Sequence, residues 1–205
     1  MGCALLSATA AEPLQPVGLK WIGATPAVAT PNSFGIPFDK GTVKAQDRFE
    51  ITADNGESLP YDFTPLAYWP DGSVKWAGFA LVVPGGQQGI TVTPLGKAKK
   101  SKTKTSSTML SDNAQQYIVT TGPLTAYIPK QGNSLTDSLV WNGLKTADAT
   151  KLVALEKDTR YESTVKEVTV EHDTNLKTVI RIDGKHRSTD GREWLPFRVR
   201  LYFYA

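Results

Sequence analysis

Apolar residues along this chain recur at every second position far more often than at helical spacing. In the final run Leu195, Phe197, Val199, Leu201 and Phe203 make one wholly apolar face, and Trp194, Arg198, Arg200, Tyr202 and Tyr204 occupy the opposite one. That is the period of a strand covered on one side. Leu124, Ala126 and Ile128 alternate in the same way, as do Leu176, Thr178, Ile180 and Ile182. Val74–Val83 differs, with Val74, Trp76, Ala80 and Val82 on one face and Ala77, Phe79, Leu81 and Val83 on the other. Only Lys75 interrupts it, so the pattern predicts a strand buried on both sides or nearly so, the core of the first domain. Further strands are predicted at Val17–Ile22, Thr42–Ala45, Arg48–Thr52 and Ile90–Pro94. Thr150–Ser163 suits a short helix or a strand equally, because Leu152, Val153 and Leu155 fit both. The class predicted is all-β, in at least two pieces.

The turns have identifiable chemistry. In Trp69-Pro70-Asp71-Gly72, Pro presets φ at the second position, Asp suits the third, and Gly accepts the left-handed conformation that follows a type I turn in a bulged hairpin. Ser188–Gly191 reads as a second hairpin turn, feeding the last strand. Residues 97–107 hold no large apolar side chain and are predicted to be a solvated Lys/Ser/Thr-rich linker.

Charge changes the picture little. The formal net charge is +3, but Lys97, Lys99, Lys100, Lys102 and Lys104 lie in one short acid-free stretch, and without those five the balance is −2. A nucleic-acid surface would need basic residues spread over a folded face. No apolar run approaches the roughly eighteen residues that span a bilayer. Cys3 is the only cysteine, which excludes internal disulfides and cysteine metal sites. No His/Asp/Glu cluster has metal-ligand spacing, no glycine loop suits a phosphate, and no nucleophile elbow is present, so neither metal nor cofactor is expected.

Both ends are informative. Residues 1–11 are small and apolar and close on Ala8-Thr9-Ala10, which resembles the tail of a secretory signal. The expectation is a secreted or periplasmic protein. At the other end a strongly patterned strand runs into Ala205 without turn or polar tail, where chain ends are usually short and polar. The expectation is the front part of a longer protein, whose last strand would expose an apolar face and an edge.

Gly35-Ile-Pro-Phe-Asp-Lys-Gly41, followed by Tyr68-Trp-Pro-Asp-Gly-Ser-Val-Lys-Trp76, resembles the N-terminal barrel of the exo-rhamnogalacturonan lyase-like (YetA-like) family. Gly184-Lys-His-Arg187 and Trp194-Leu-Pro-Phe-Arg-Val-Arg-Leu-Tyr-Phe-Tyr204 resemble the start of that family's central β-sandwich. The resemblance runs from about Pro16 to the C-terminus. It implies a RIFT-type β-barrel over 12–96, a linker over 97–107 and an incomplete β-sandwich over 108–205. In the family an α/α toroid follows, so further domains of the same chain would be its partners. Many members are uncharacterised, and membership does not fix a substrate.

A lyase of uronate polymers needs a base near the proton alpha to the carboxylate, and a cation or strong donors to neutralise that carboxylate. His172 and His186 are the only histidines, and His186 beside Arg187 is the candidate base-and-clamp pair. On an unbroken strand His186 would share the apolar face with Ile180 and Ile182, where a half-buried histidine bonded to a backbone carbonyl is the commoner outcome. Trp194, Arg198, Arg200, Tyr202 and Tyr204 form a candidate substrate surface, since rings stack on sugars and Arg pairs with carboxylates. The competing reading is a packing surface with cation–π contacts. Trp69, Asp71, Lys75 and Trp76 read as a hairpin turn with buried indoles. The expectation is a non-catalytic front portion of an exported lyase-like protein that acts on acidic polysaccharide by β-elimination, itself inactive. The alternative is a carbohydrate-binding or architectural β-module.

Overall fold

The computed structural model describes residues 14–97 and 108–205. The expected signal remnant, Cys3 and all of the linker but Lys97 lie outside the described residues. Among those described there are fifteen strands and no helix. They fall into two compact units: 14–30, 34–78 and 83–97, then 31–33, 79–82 and 108–205.

Six strands precede the linker: β1 (Val17–Lys20), β2 (Thr30–Pro37), β3 (Asp47–Ala53), β4 (Asp62–Tyr68), β5 (Val74–Val83) and β6 (Gly89–Lys97). They pair as two three-stranded sheets, β1-β6-β3 and β2-β5-β4. The register of β3 on β6 shifts between Arg48 and Phe49, leaving Leu95 as an extra, exposed residue beside Gly96. The Tyr61 hydroxyl meets the displaced backbone there, accepting from Phe49 N–H and donating to Phe49 C=O, each at 2.9 Å. Phe49 is ringed by Phe38, Tyr61 and Phe63 at centroid separations of 5.0 to 6.4 Å. A buried aromatic cluster thus closes over a bulge whose polar groups are satisfied.

Thr42–Ala45 is not a strand. Thr42 N–H donates to Asp39 C=O, and Lys44 N–H to the Asp47 carboxylate, so turn chemistry outcompetes the β-branched pair. Only Val43 of that stretch is buried, and its carbonyl accepts from Val74 N–H. The strands β2 and β4, which alternation does not reveal, contain Pro31, Pro37 and Pro65 and carry little apolar contrast. Strand β5 matches its predicted bounds. Ala77, Phe79, Leu81 and Val83 are buried, yet Trp76 on the other face is 42 % exposed, so burial on both sides fails at that end.

After the linker come β7 (Leu110–Asp112), β8 (Gln116–Thr121), β9 (Leu124–Pro129), β10 (Ser138–Trp141) and β11 (Leu144–Ala147), a meander in sequence order. Strands β12 (Val153–Glu156), β13 (Thr159–Asp173), β14 (Lys177–Ser188) and β15 (Glu193–Tyr204) make a second antiparallel sheet. The ambiguous segment Thr150–Ser163 resolves as β12 and the start of β13. Val119, Ala126, Ile128 and Leu135 pack against Val165, Ile180, Ile182 and Phe203, so the two sheets share one core and form a β-sandwich. Phe197, Val199 and Leu201 pack against that core and are half-buried, so the apolar face of the last strand is covered within the sandwich. Strand β15 is the edge of its sheet.

Candidate functional site

The outer face of β13, β14 and β15 carries the densest chemistry among the described residues. Thr178 and Val179 are both buried, and from Ile180 onward strand β14 alternates: Ile180, Ile182, Gly184, His186 and Ser188 are buried, while Arg181, Asp183, Lys185 and Arg187 face outward. Strand β15 does not. Its register on β14 shifts between Lys185 and His186, so that His186 opposes Trp194 and Lys185 opposes Pro196. Leu195 is the extra residue, at φ +40°.

The bulge exchanges two side chains between faces. Trp194, expected beside Arg198 and Arg200, turns inward and packs on buried Tyr161 at 5.3 Å. Leu195, expected inside, is 43 % exposed. The outward stripe therefore consists of Arg198, Arg200, Tyr202 and Tyr204, without Trp194.

His186 lies on the apolar side. Its Nδ1 is 2.8 Å from Leu195 C=O, and its ring meets Phe197 edge-on at 5.5 Å. Arg187 points outward beside the Gly191 turn, so adjacent positions on one strand place the two on opposite faces. The candidate base and clamp are not brought together. His172, near the other end of β13, opposes Val179.

The arginines are already engaged. Arg198 Nε donates to Asp183 Oδ1 and Arg181 Nε to Asp183 Oδ2, both at 2.6 Å. Arg200 grips Glu171 with two donors, at 2.6 and 3.0 Å. Arg181 reaches the same carboxylate at 3.3 Å, and the Arg181 guanidinium also lies 3.7 Å from the Glu167 carboxylate. Arg181 and Arg200 are direct cross-strand neighbours, an arrangement that repels on its own. Glu171 offsets it because the bulge in β13 between Val170 and His172 aims its carboxylate between them. Hydrogen bonding from Arg200, reinforced by Arg181, holds the Glu171 carboxyl below the usual range. At Asp183 burial is the largest single influence and works against ionisation, but Arg198 and Arg181 together outweigh it and the carboxyl is lowered. Three cations and three carboxylates thus neutralise one another along the stripe.

The Trp69–Gly72 turn forms as its sequence predicts. Gly72 N–H donates to Trp69 C=O at 2.9 Å with Gly72 at φ +80°. Ser73 donates to Asp71 Oδ1 from both its N–H and its hydroxyl, which lowers the Asp71 carboxyl. Asp71 is therefore a turn residue. The indoles are not both buried: Trp69 is half-buried and Trp76 exposed. Gly35 makes room for Trp76, since a Cβ there would fall 2.2 Å from the indole Nε1, a pairing that only the fold reveals.

Residues 15–95 match the family model for the PcRGLX-like N-terminal RIFT barrel domain, and residues 108–205 match that for the PcRGLX-like protein central beta sandwich domain. The chain belongs to the PcRGLX-like family. The PcRGLX-like chain is also 34% identical, over 201 residues and 91% of its length, to the uncharacterized protein YetA of Bacillus subtilis (strain 168). It spans 23% of that relative. The all-β architecture agrees with both PcRGLX-like domains. No helix among the described residues is long and apolar enough to cross a membrane.

Proposed function

We propose that this chain is a non-catalytic front portion of an exported polysaccharide lyase-like protein, one that acts on acidic polysaccharide such as rhamnogalacturonan by β-elimination. The observation that carries the reading is the pairing of two PcRGLX-like domains in a chain that spans under a quarter of its relative. The division of labour is supported by the sandwich. Its best candidate base, His186, faces the core and is bonded to Leu195, away from Arg187 on the opposite face, while Arg198 and Arg200 of the candidate substrate surface are neutralised by Asp183 and Glu171. Proton abstraction needs a base within reach of the substrate, and none of these groups meets that requirement.

The test compares this chain with the longer protein on rhamnogalacturonan and on a panel of uronate polymers, following the ultraviolet absorbance of the unsaturated product. Product from the longer protein and none from this chain supports the reading. Silence of the longer protein across the panel removes it, and turnover by this chain alone moves the chemistry into these two domains. A binding module is the second reading, favoured by the outward Arg198, Arg200, Tyr202 and Tyr204. Affinity for acidic glycans that is lost in Arg198→Ala and Arg200→Ala supports it.

A further inference from the structure

Five junctions in the chain place a glycine after an asparagine or aspartate: Asn55-Gly56, Asp71-Gly72, Asn142-Gly143, Asp183-Gly184 and Asp190-Gly191. Such a junction is chemically labile. The glycine amide nitrogen can attack the side-chain carbonyl of the preceding residue, and glycine has no Cβ to obstruct the approach. The reaction needs two groups free at once, the glycine N–H and the side-chain carbonyl.

At four of the junctions the fold occupies those groups. Gly56 N–H donates to Ala53 C=O at 2.9 Å, and Asn55 Oδ1 accepts from Glu57 N–H at 3.0 Å. Gly72 N–H donates to Trp69 C=O, and Asp71 Oδ1 accepts twice from Ser73. Gly191 N–H donates to Ser188 C=O, and Asp190 Oδ1 accepts from the Ser188 hydroxyl. Asp183 is held by Arg181 and Arg198, and Gly184 is paired on both sides within its sheet.

Asn142-Gly143 is different. It is the two-residue turn joining β10 to β11, at φ +49° and +80°, the left-handed pair that Asn-Gly favours in a hairpin. Asn142 N–H donates to Pro123 C=O, but neither the Asn142 side-chain amide nor Gly143 N–H is bonded among the described residues. Both residues are exposed, and the space a Gly143 Cβ would take is open. Asn55 and Gly56 are exposed as well, so bonding and not solvent access separates the two Asn-Gly pairs.

We propose that Asn142 is a site of spontaneous deamidation in the folded chain. The Gly143 nitrogen bonds to Asn142 Cγ as the bond from Cγ to the side-chain amide nitrogen breaks. The Gly143 N–H proton passes through solvent to the leaving group, which departs as ammonia. Water then opens the succinimide at either carbonyl, giving aspartate or isoaspartate. Aspartate keeps the hairpin, because Asp-Gly suits the same turn. Isoaspartate carries the main chain through one extra methylene, which a two-residue turn absorbs only by shifting the Trp141–Leu144 pairing. Strand β11 is the edge of its sheet and exposed over Leu144–Thr146, so it loosens without disturbing the core.

The experiment ages the folded 205-residue chain in mildly alkaline buffer and follows both Asn-Gly peptides by mass spectrometry. The Asn142 peptide is expected to gain one mass unit about tenfold faster than the Asn55 peptide, the ratio that about 1.4 kcal/mol on the barrier produces. In urea the two convert at the same rate, because unfolding frees both. Asn142→Gln abolishes the gain at that peptide and leaves Asn55 unchanged. Asn142 that stays intact in the folded chain while converting in urea overturns the proposal. Equal rates at both pairs in the folded chain overturn it too, since hydrogen bonding would then not be what protects Asn55. The isoaspartate form, separated by chromatography, should exchange its amide hydrogens faster over Leu144–Ala147, with Ile180 and Ile182 unchanged. Unchanged exchange in β11 overturns the assigned consequence. None of these readouts depends on an activity of the longer protein.

Discussion

His186 closes the bulge that Leu195 opens. The imidazole Nδ1 lies 2.8 Å from the Leu195 carbonyl oxygen, and Leu195 holds φ +40°, a conformation that costs a branched side chain energy. The extra residue removes Leu195 C=O from the regular ladder, and the histidine satisfies it from inside the sandwich. Because the bulge sits between Trp194 and Pro196, it decides which side chains of β15 face the core. The histidine that looked most catalytic in the sequence is thus a device for setting strand register.

Two substitutions separate this role from catalysis. His186→Phe fills the space against Phe197 but leaves Leu195 C=O without its partner, and a cost of about 1–3 kcal/mol is expected. His186→Ala adds a cavity and is the more destabilising of the two. Urea denaturation measures both. In the longer protein, kcat on any substrate found is expected to be unchanged by His186→Phe wherever the variant is folded. A fall in kcat at full stability would return the residue to the chemistry.

Gly184 permits close packing on the same strand. A Cβ there would fall 2.3 Å from Thr164 C=O and 2.4 Å from Phe197 Cζ. A backbone oxygen cannot retreat without breaking the β13–β14 pairing, so Gly184→Ala is expected to cost about 1–3 kcal/mol. Gly78→Ala meets only the side chain of Leu66, at 3.0 Å, and Leu66 is exposed and free to turn. Thermal melts of the two variants should rank Gly184→Ala clearly below Gly78→Ala. Similar melting temperatures would contradict the close approach of Phe197.

The strands that sequence alternation reveals are those with strong contrast between faces. Strands β9, β14 and β15 qualify, because apolar residues fall at every second position against more polar neighbours, whereas β5 shows as an apolar run that only Lys75 interrupts. Strands β2 and β4 stay hidden because their prolines and small residues blur the contrast. Thr42–Ala45 misleads for the opposite reason, since its β-branched pair sits in a turn organised by Asp39 and Asp47. The candidate stripe was legible except at Trp194. A one-residue bulge inverts every side chain beyond it, and nothing in Trp-Leu-Pro marks where the extra residue goes. The pairing of Arg198 with Asp183 and Arg200 with Glu171 depends on cross-strand register and on a second bulge in β13, neither of which one strand's sequence carries.

The carboxylates of the sandwich sheet set an acid limit on stability. Glu171, Asp183, Glu193 and Glu162 are all lowered by neighbouring arginines or lysines. Each is more acidic folded than unfolded, so the stability it contributes is complete above the unfolded carboxylate range, about pH 4–4.5. That contribution is lost as pH falls through the lower folded values. Unfolding free energy is therefore expected to be flat from neutral pH to the top of that range and to decline below it. Half-molar salt should shrink the decline, because these pairs are partly exposed. A stability profile that rises on acidification would contradict the ladder.

The ladder also predicts a gain of function. Glu171 is the only carboxylate bonded to both Arg181 and Arg200 among the described residues, and those two guanidinium groups face each other across β14 and β15. Glu171→Gln removes the shared charge while keeping the side-chain shape, and leaves two adjacent cations with Asp183 and Glu167 as the nearest acids. Stability should fall by about 0.5–1 kcal/mol, the usual scale for exposed pairs and cross-strand like charges. The freed cations should bind anions, so the variant is expected to be retained on immobilised polygalacturonate at low salt and released as salt rises. The unaltered sandwich stripe should contribute no retention, which Arg200→Ala checks by leaving the elution position of the wild-type chain unmoved. If Arg200→Ala instead abolishes wild-type retention, Arg200 exchanges Glu171 for the glycan, and the outer face of the sandwich is the binding surface after all.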